Sequence, residues 1–216
     1  MPFKHFTNKN SFDSIVDPFE PHWSDYWYLD SRDHCTFTWS NNVFSEDEIE
    51  DIIILGRRLT SKRAETGDQG ADCLDVRRSH ISWIVINDQT KSLYGKLSQA
   101  VKDTNEKFFQ FDLTMIEKLQ FTEYCHSERG FYDQHMDPLY WNNPHNRKLS
   151  FVVQLSDPDE YEGGELKLYY AKEPTVIQKE KGLIVFFPSY VLHEVTPVTK
   201  GTRRSLVGWV HGPCFK

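Results

Sequence analysis

Three side chains in two stretches of this 216-residue chain have the types and spacing to hold one metal ion: His135 and Asp137 in His135-Met-Asp137, and His193 much further along. On an extended strand, residues i and i+2 project to the same side, so His135 and Asp137 can grip one ion with the backbone undistorted. His193 is too distant for a local motif. A closed sheet must therefore carry a remote strand back beside the first pair. Two imidazoles and one carboxylate on one face leave about three coordination positions open, an arrangement suited to oxygen chemistry at non-haem iron(II). Zinc accepts the same donors but prefers four-coordination with an activated water, and the spacing leaves that alternative open. A second pair of the same form, His126-Ser-Glu128, is flanked by Arg129-Gly130 and reads as loop, a poorer platform for a rigid metal site.

Ten residues after His193 comes Arg203, in Thr-Lys-Gly201-Thr-Arg203-Arg-Ser-Leu-Val-Gly-Trp209. A chain leaving the His193 strand, turning at Lys200-Gly201 and returning on the neighbouring strand would aim this guanidinium into the same cavity. Its planar fork pairs both oxygens of a carboxylate, a contact stronger and more directional than a lysine offers. Arg203 and Arg204 point to opposite faces of a strand, and parity with Val207 and Trp209 selects Arg203 as the inward one.

The elements that would position these groups follow from periodicity. Residues 1–34 hold many aromatics without helical or strand period and are expected to form an irregular arm, with 35–216 a single domain. Ser45 and Glu48 form a capping box for a helix over about 46–59 with Ile49, Ile52 and Ile53 on one face. Residues 60–75 read as loop, and 76–84 alternates like one half-buried strand. Asp88 is placed to cap a second helix carrying Leu93, Leu97, Val101 and Phe108 toward the core. From about 111 to 213 short strands dominate, among them 165–170, 183–187 (ended by Pro188) and 205–210, punctuated by Gly163-Gly164, Gly182 and Gly201. The fold class expected is mostly β (α+β), an antiparallel barrel or sandwich backed by N-terminal helices.

Composition narrows the function. A net charge of −7 and pI near 5.7 argue against nucleic acid as the main partner, and Arg57, Arg58, Lys62 and Arg63 read as a solvated helix end. No run approaches the 18 or so apolar residues needed to cross a bilayer, and the first residues lack a secretory signal. Cys35, Cys73, Cys125 and Cys214 form no C-x-x-C pair, which fits a reducing compartment. A cytoplasmic protein is expected, its oligomeric state open.

Three runs together resemble the prolyl 4-hydroxylase type of 2-oxoglutarate and Fe(II)-dependent dioxygenases, closest to the bacterial and phage PKHD-type hydroxylases. They are Tyr132-x-x-His135-x-Asp137, then 155–166 with Gly163-Gly164, then His193-x-Val-Thr-Pro-Val-x-x-Gly201-x-Arg203. Val76-Arg77-x-x-x-Ile-x-Trp83-Ile84 resembles that family's early strand. The resemblance implies a double-stranded β-helix (jelly-roll or cupin-like), with iron on His135, Asp137 and His193 and the distal carboxylate of 2-oxoglutarate on Arg203. It further implies a Tyr124 hydroxyl on the cosubstrate, and Arg77, Trp83 and Trp209 toward the prime substrate. A family tyrosine that helps bind the same carboxylate is replaced near Gln154. The implied reaction consumes O2 and 2-oxoglutarate, with ascorbate as accompanying reductant, and hydroxylates an unactivated C–H bond, first choice a peptidyl proline. A free amino acid or other small molecule, and a non-catalytic metal-binding barrel, stand as alternatives.

Overall fold

The capping box forms as the sequence requires. Ser45 Oγ accepts from the Glu48 amide while the Glu48 carboxylate accepts from the Ser45 amide, and helix α1 (Glu46–Arg58) follows. Its apolar stripe, with Ile49 and Ile52, packs on the sheet behind it. Gly56 allows the close approach, since a Cβ there would overlap the Phe121 ring. Helix α2 (Lys91–Thr104) buries Leu97 and Val101. This computed structural model describes residues 3–5, 35–64, 74–137 and 146–213.

The remaining elements are strands in two antiparallel sheets. The larger sheet runs in spatial order Phe3–His5 (β1), Thr38–Ser40 (β2), Ile184–Pro188 (β13), Asn146–Gln154 (β9), Val198–Gly212 (β15), Leu119–Cys125 (β7), His80–Ile84 (β5) and Lys62–Arg63 (β3). Met115–Ile116 (β6) and Tyr161–Gly163 (β10) also pair with β15. The smaller sheet runs Thr175–Val176 (β12), Leu166–Tyr169 (β11), Leu192–Val195 (β14), Phe131–His135 (β8) and Arg77–Arg78 (β4).

Strand alternation divides the core into two layers. Phe121, Phe151, Val153, Phe186 and Leu206 face the helices in one cluster. Tyr124, Val152, Val185 and Phe187 face the smaller sheet in the other, with Leu166, Leu168 and Val195 opposite. This is the double-stranded β-helix, and the space between the sheets is where the functional side chains meet. Among the described residues no helix is long and apolar enough to cross a membrane.

Several expectations are corrected. Residues 76–84 form two strands in different sheets: Arg77 and Arg78 pair with β8, whereas 80–84 pair with β7, and buried Ser79 marks the crossing. The chain does not turn at Lys200-Gly201. It bends at Thr196-Pro197 and continues as one long strand, so Arg203 reaches the cavity from the sheet opposite His193 rather than from its neighbour. Gly201, at φ +69°, instead accommodates the backbone of Glu160, which a Cβ would strike. Asp88 caps nothing; α2 starts after Thr90, where the Asn87 side chain accepts from the Gln89 and Thr90 amides. The end of α2 widens into a π turn (Asn105–Phe109), which shifts the helical phase so that Phe109, not Phe108, packs on the core. Lys62–Arg63 pairs inside the expected loop, and Phe3–His5 pairs inside the expected irregular arm. Pro138, expected to end a strand, lies outside the described residues, as do most of residues 1–34.

Candidate metal centre and anion pocket

His135 closes β8 and is the cross-strand partner of His193 on β14, which places the two imidazoles side by side with ring centroids 4.1 Å apart. Asp137 follows two residues beyond, its amide bonded to the Ser189 carbonyl at 2.9 Å. Its Oδ1 lies 3.8 Å from His135 Nε2 and its Oδ2 3.5 Å from His193 Nε2. One ligand atom from each of the three lies within 4.8 Å of the others. Asp137 and His193 are buried; His135 is partly so.

Hydrogen bonds one layer out prepare these atoms. His135 Nδ1 lies 2.7 Å from the Asp133 carbonyl and His193 Nδ1 lies 2.9 Å from the Val191 carbonyl. Carbonyls only accept, so each Nδ1 carries the proton and each Nε2 keeps a lone pair facing the other donors. Ser150 Oγ donates to Asp137 Oδ2 at 2.7 Å, and with that proton spent the Ser189 hydroxyl must donate to Ser150 at 2.9 Å. Burial, then the field of His193, pushes the His135 pKa well below its ordinary value, so this imidazole is neutral near pH 7. Burial opposes ionisation of Asp137, but positive charge on His193, then on His135, when these rings carry a second proton, and the Ser150 hydroxyl outweigh it and hold the carboxyl below the usual range. Neutral nitrogen beside ionised carboxylate is the protonation state a divalent cation requires. The donor set fits the metal.

Arg203 faces the same space from β15 and is 1% exposed. Nη2 donates to Gln154 Oε1 at 2.9 Å and Nη1 reaches Ser205 Oγ at 3.4 Å, while the guanidinium carbon lies 5.4 Å above the ring of Tyr124, its cross-strand partner. Buried Nε has no partner, and no carboxylate pairs with the side chain among the described residues. A sealed cation with an unspent donor is costly unless an anion joins it, which fits a carboxylate cosubstrate. Gln154, near the position of the family tyrosine, is bonded to that cation.

Tyr132 stacks on His135 with centroids 3.5 Å apart, and buried Arg77 lies 4.4 Å over the other side of that ring. Trp83 and Trp209 are tilted against each other at 6.3 Å; Arg147 lies 3.9 Å over Trp209, whose buried Nε1 has no acceptor among the described residues. The rival pair His126 and Glu128 is otherwise engaged, His126 with the Gly201 carbonyl and Glu128 with Arg63. The supporting role of Ser150 and Ser189 was missed. Its signal was a small polar residue at inward parity within the apolar run 149–153.

Residues 119–211 match the family model of the 2OG-Fe(II) oxygenase superfamily. The matched segment contains the His-Asp-His cluster, Tyr124, Arg203 and Trp209; Arg77 and Trp83 precede it. Curated relatives include a PKHD-type hydroxylase of Prochlorococcus marinus, 40% identical over 98 residues (45% of this chain, 44% of the relative), and one of Gloeothece citriformis, 36% identical over 139 residues (61% and 62%). The chain thus spans less than two thirds of the length of these relatives. Among solved structures, a Pseudomonas putida prolyl-4-hydroxylase superposes with TM-score 0.66 at 21% identity, covering 83% of this chain and 94% of that one. A prolyl hydroxylase solved with a hypoxia inducible factor peptide fragment from Trichoplax adhaerens superposes with TM-score 0.68 at 19% identity, covering 82% and 84%. The oxygenase resemblance read from the motifs is borne out, and so is the β-helix fold.

Proposed function

We propose that the chain is a 2-oxoglutarate- and Fe(II)-dependent dioxygenase that hydroxylates an unactivated C–H bond, with iron on His135, Asp137 and His193 and the distal carboxylate of 2-oxoglutarate on Arg203. The observation that carries this reading is the pairing of a convergent His-Asp-His cluster, its histidines on the smaller sheet, with a fully buried arginine on the larger sheet that has no carboxylate partner among the described residues. Iron, 2-oxoglutarate and O2 together supply an oxidant able to hydroxylate such a bond, with succinate and carbon dioxide as coproducts.

This chain's own residues supply position and exclusion. The Asp133 and Val191 carbonyls hold both imidazoles in the ligating tautomer, and Ser150 fixes the carboxylate. Arg203 sets the depth of the cosubstrate, Gln154 orients the fork, and Tyr124 presents its ring beside it. Trp83, Trp209 and Arg77 border the remaining space, where the prime substrate enters and water is kept out. A prolyl residue is the substrate we favour, from the names of the PKHD-type and prolyl hydroxylase relatives, and ascorbate is its accompanying reductant. Free thiols at Cys35 and Cys125 support a reducing, cytoplasmic setting.

The test is succinate release from 2-oxoglutarate with iron(II), ascorbate and prolyl peptides. Succinate should form only with oxygen and should fall at least about 100-fold in His135→Ala and His193→Ala. Release no greater than in His135→Ala would leave a non-catalytic barrel, and metal-dependent turnover without oxygen would restore the zinc alternative.

A further inference from the structure

Two inward-facing arginines lack a carboxylate among the described residues, and the cosubstrate accounts for only one of them. Arg147 is paired bidentately with Glu117, and Arg204 meets Glu123 and Glu160. Arg203 is assigned above to 2-oxoglutarate. Arg77 remains.

Its side chain is 7% exposed. Nε donates to Ser79 Oγ at 2.8 Å, which fixes the guanidinium plane, and the carbon of that plane lies over the Tyr132 ring. Neither terminal nitrogen meets an acceptor among the described residues, yet neither is sealed off, so both open onto accessible space. A cation–π contact contributes about 0.5–2 kcal/mol. Removing a guanidinium from water costs several kcal/mol, so stacking on Tyr132 does not by itself explain a cation held there.

The geometry points to Arg77 as the binding site for a carboxylate on the prime substrate, close to the carbon that is oxidised. This rests on the oxygenase reading for the identity of that carbon. Arg77 belongs to the smaller sheet and Arg203 to the larger, so the two cations enter from opposite walls. Tyr132 separates the guanidinium from the His135 ring by a single aromatic layer. An anion on the free edge of Arg77 therefore lies near the metal cluster, on the side from which a small substrate would be presented to it. An internal prolyl residue has no carboxylate of its own, because its carboxyl is spent in an amide. A free amino acid has one, and so does a residue at a peptide's C-terminus. The planar fork would engage both oxygens, which an amide cannot reproduce.

Calorimetric titration of the protein loaded with iron(II) and 2-oxoglutarate under anaerobic conditions tests this. The probes are acetyl-alanyl-proline, its C-terminal carboxamide, and L-proline. The acid should bind at least about tenfold more tightly than the carboxamide. Arg77→Gln should erase that difference, and Arg77→Lys, which keeps the charge but not the fork, should retain part of it. Tighter binding of L-proline than of the acid peptide would assign the carboxylate to a free amino acid, and the reverse to a C-terminal residue; both support the proposal. Wild-type protein that binds acid and carboxamide with the same measurable affinity, or binds none of the three probes, overturns it, as does an acid preference, or L-proline binding, that survives unchanged in Arg77→Gln. The oxygenase reading is decided separately by oxygen-dependent succinate release. Succinate without an acid preference removes only the Arg77 site, and an acid preference without succinate removes only the oxygenase.

Discussion

At the candidate metal cluster, His135, Asp137 and His193 depend on residues outside the cluster. Ser150 spends its only proton on Asp137 and takes another from Ser189, so Ser150→Ala leaves the carboxylate oxygen without its donor in a buried setting. Loss of such a partner typically weakens metal affinity about 10–100-fold. Titration with Mn(II) should show that loss with little change in melting temperature, and unchanged affinity would remove Ser150 from the design. Arg203 calls for a different readout. Its fork already holds Gln154, and the spare donor is what an incoming carboxylate would use. Arg203→Lys keeps the charge with one point of contact, so the KM for 2-oxoglutarate should rise about 10–100-fold, the range of one charged hydrogen bond, while Mn(II) affinity holds. A KM that does not move would place the cosubstrate elsewhere.

Strands decide how these residues meet, and here the sequence was only partly legible. The His-x-Asp pair, His193, and the inward parity of Arg203 and Trp209 were readable, because strand alternation is a local rule. Which sheet each strand joins was not. Arg77 and Trp83 share one alternating run, yet the chain changes sheets between them, and no periodicity signals a crossing at Ser79. Gly201 looked like a turn for the same reason: a glycine at positive φ inside a strand has the signature of a loop. Gly208 shows the opposite case. Its backbone is ordinary, and its requirement is steric, since a Cβ would overlap the Phe151 ring on β9. Gly208→Ala should destabilise the fold by about 1–3 kcal/mol through overpacking, seen as a lower urea midpoint with an unchanged slope. Adding Phe151→Leu should recover part of the loss; a fully additive pair would mean the two do not compete for that space.

The two sheets and their connecting segments must also hold together as pH changes, and one cluster near the cavity makes that measurable. Glu117, between β6 and β7, accepts two bonds from Arg147 on β9, at 2.9 and 2.8 Å, and lies 2.5 Å from His211 on β15. Burial opposes its ionisation, but the hydrogen bonds and charge of Arg147, then His211, outweigh it and hold the carboxyl below its ordinary value of 4.5. A carboxyl with a depressed folded-state pKa binds fewer protons folded than unfolded across that interval. Its stabilisation is therefore fully present above the unfolded value and lost as pH falls through the folded one. Glu117→Gln keeps the shape without the charge. It should cost about 1–2 kcal/mol at pH 7, the low part of the range for charged hydrogen bonds because the cluster keeps some contact with water. Urea midpoints measured from pH 7 down to pH 3 should converge, the wild type losing its advantage below about pH 4.5 while the variant declines more gently. Parallel curves across that range would show that the carboxylate contributes through packing and not through charge.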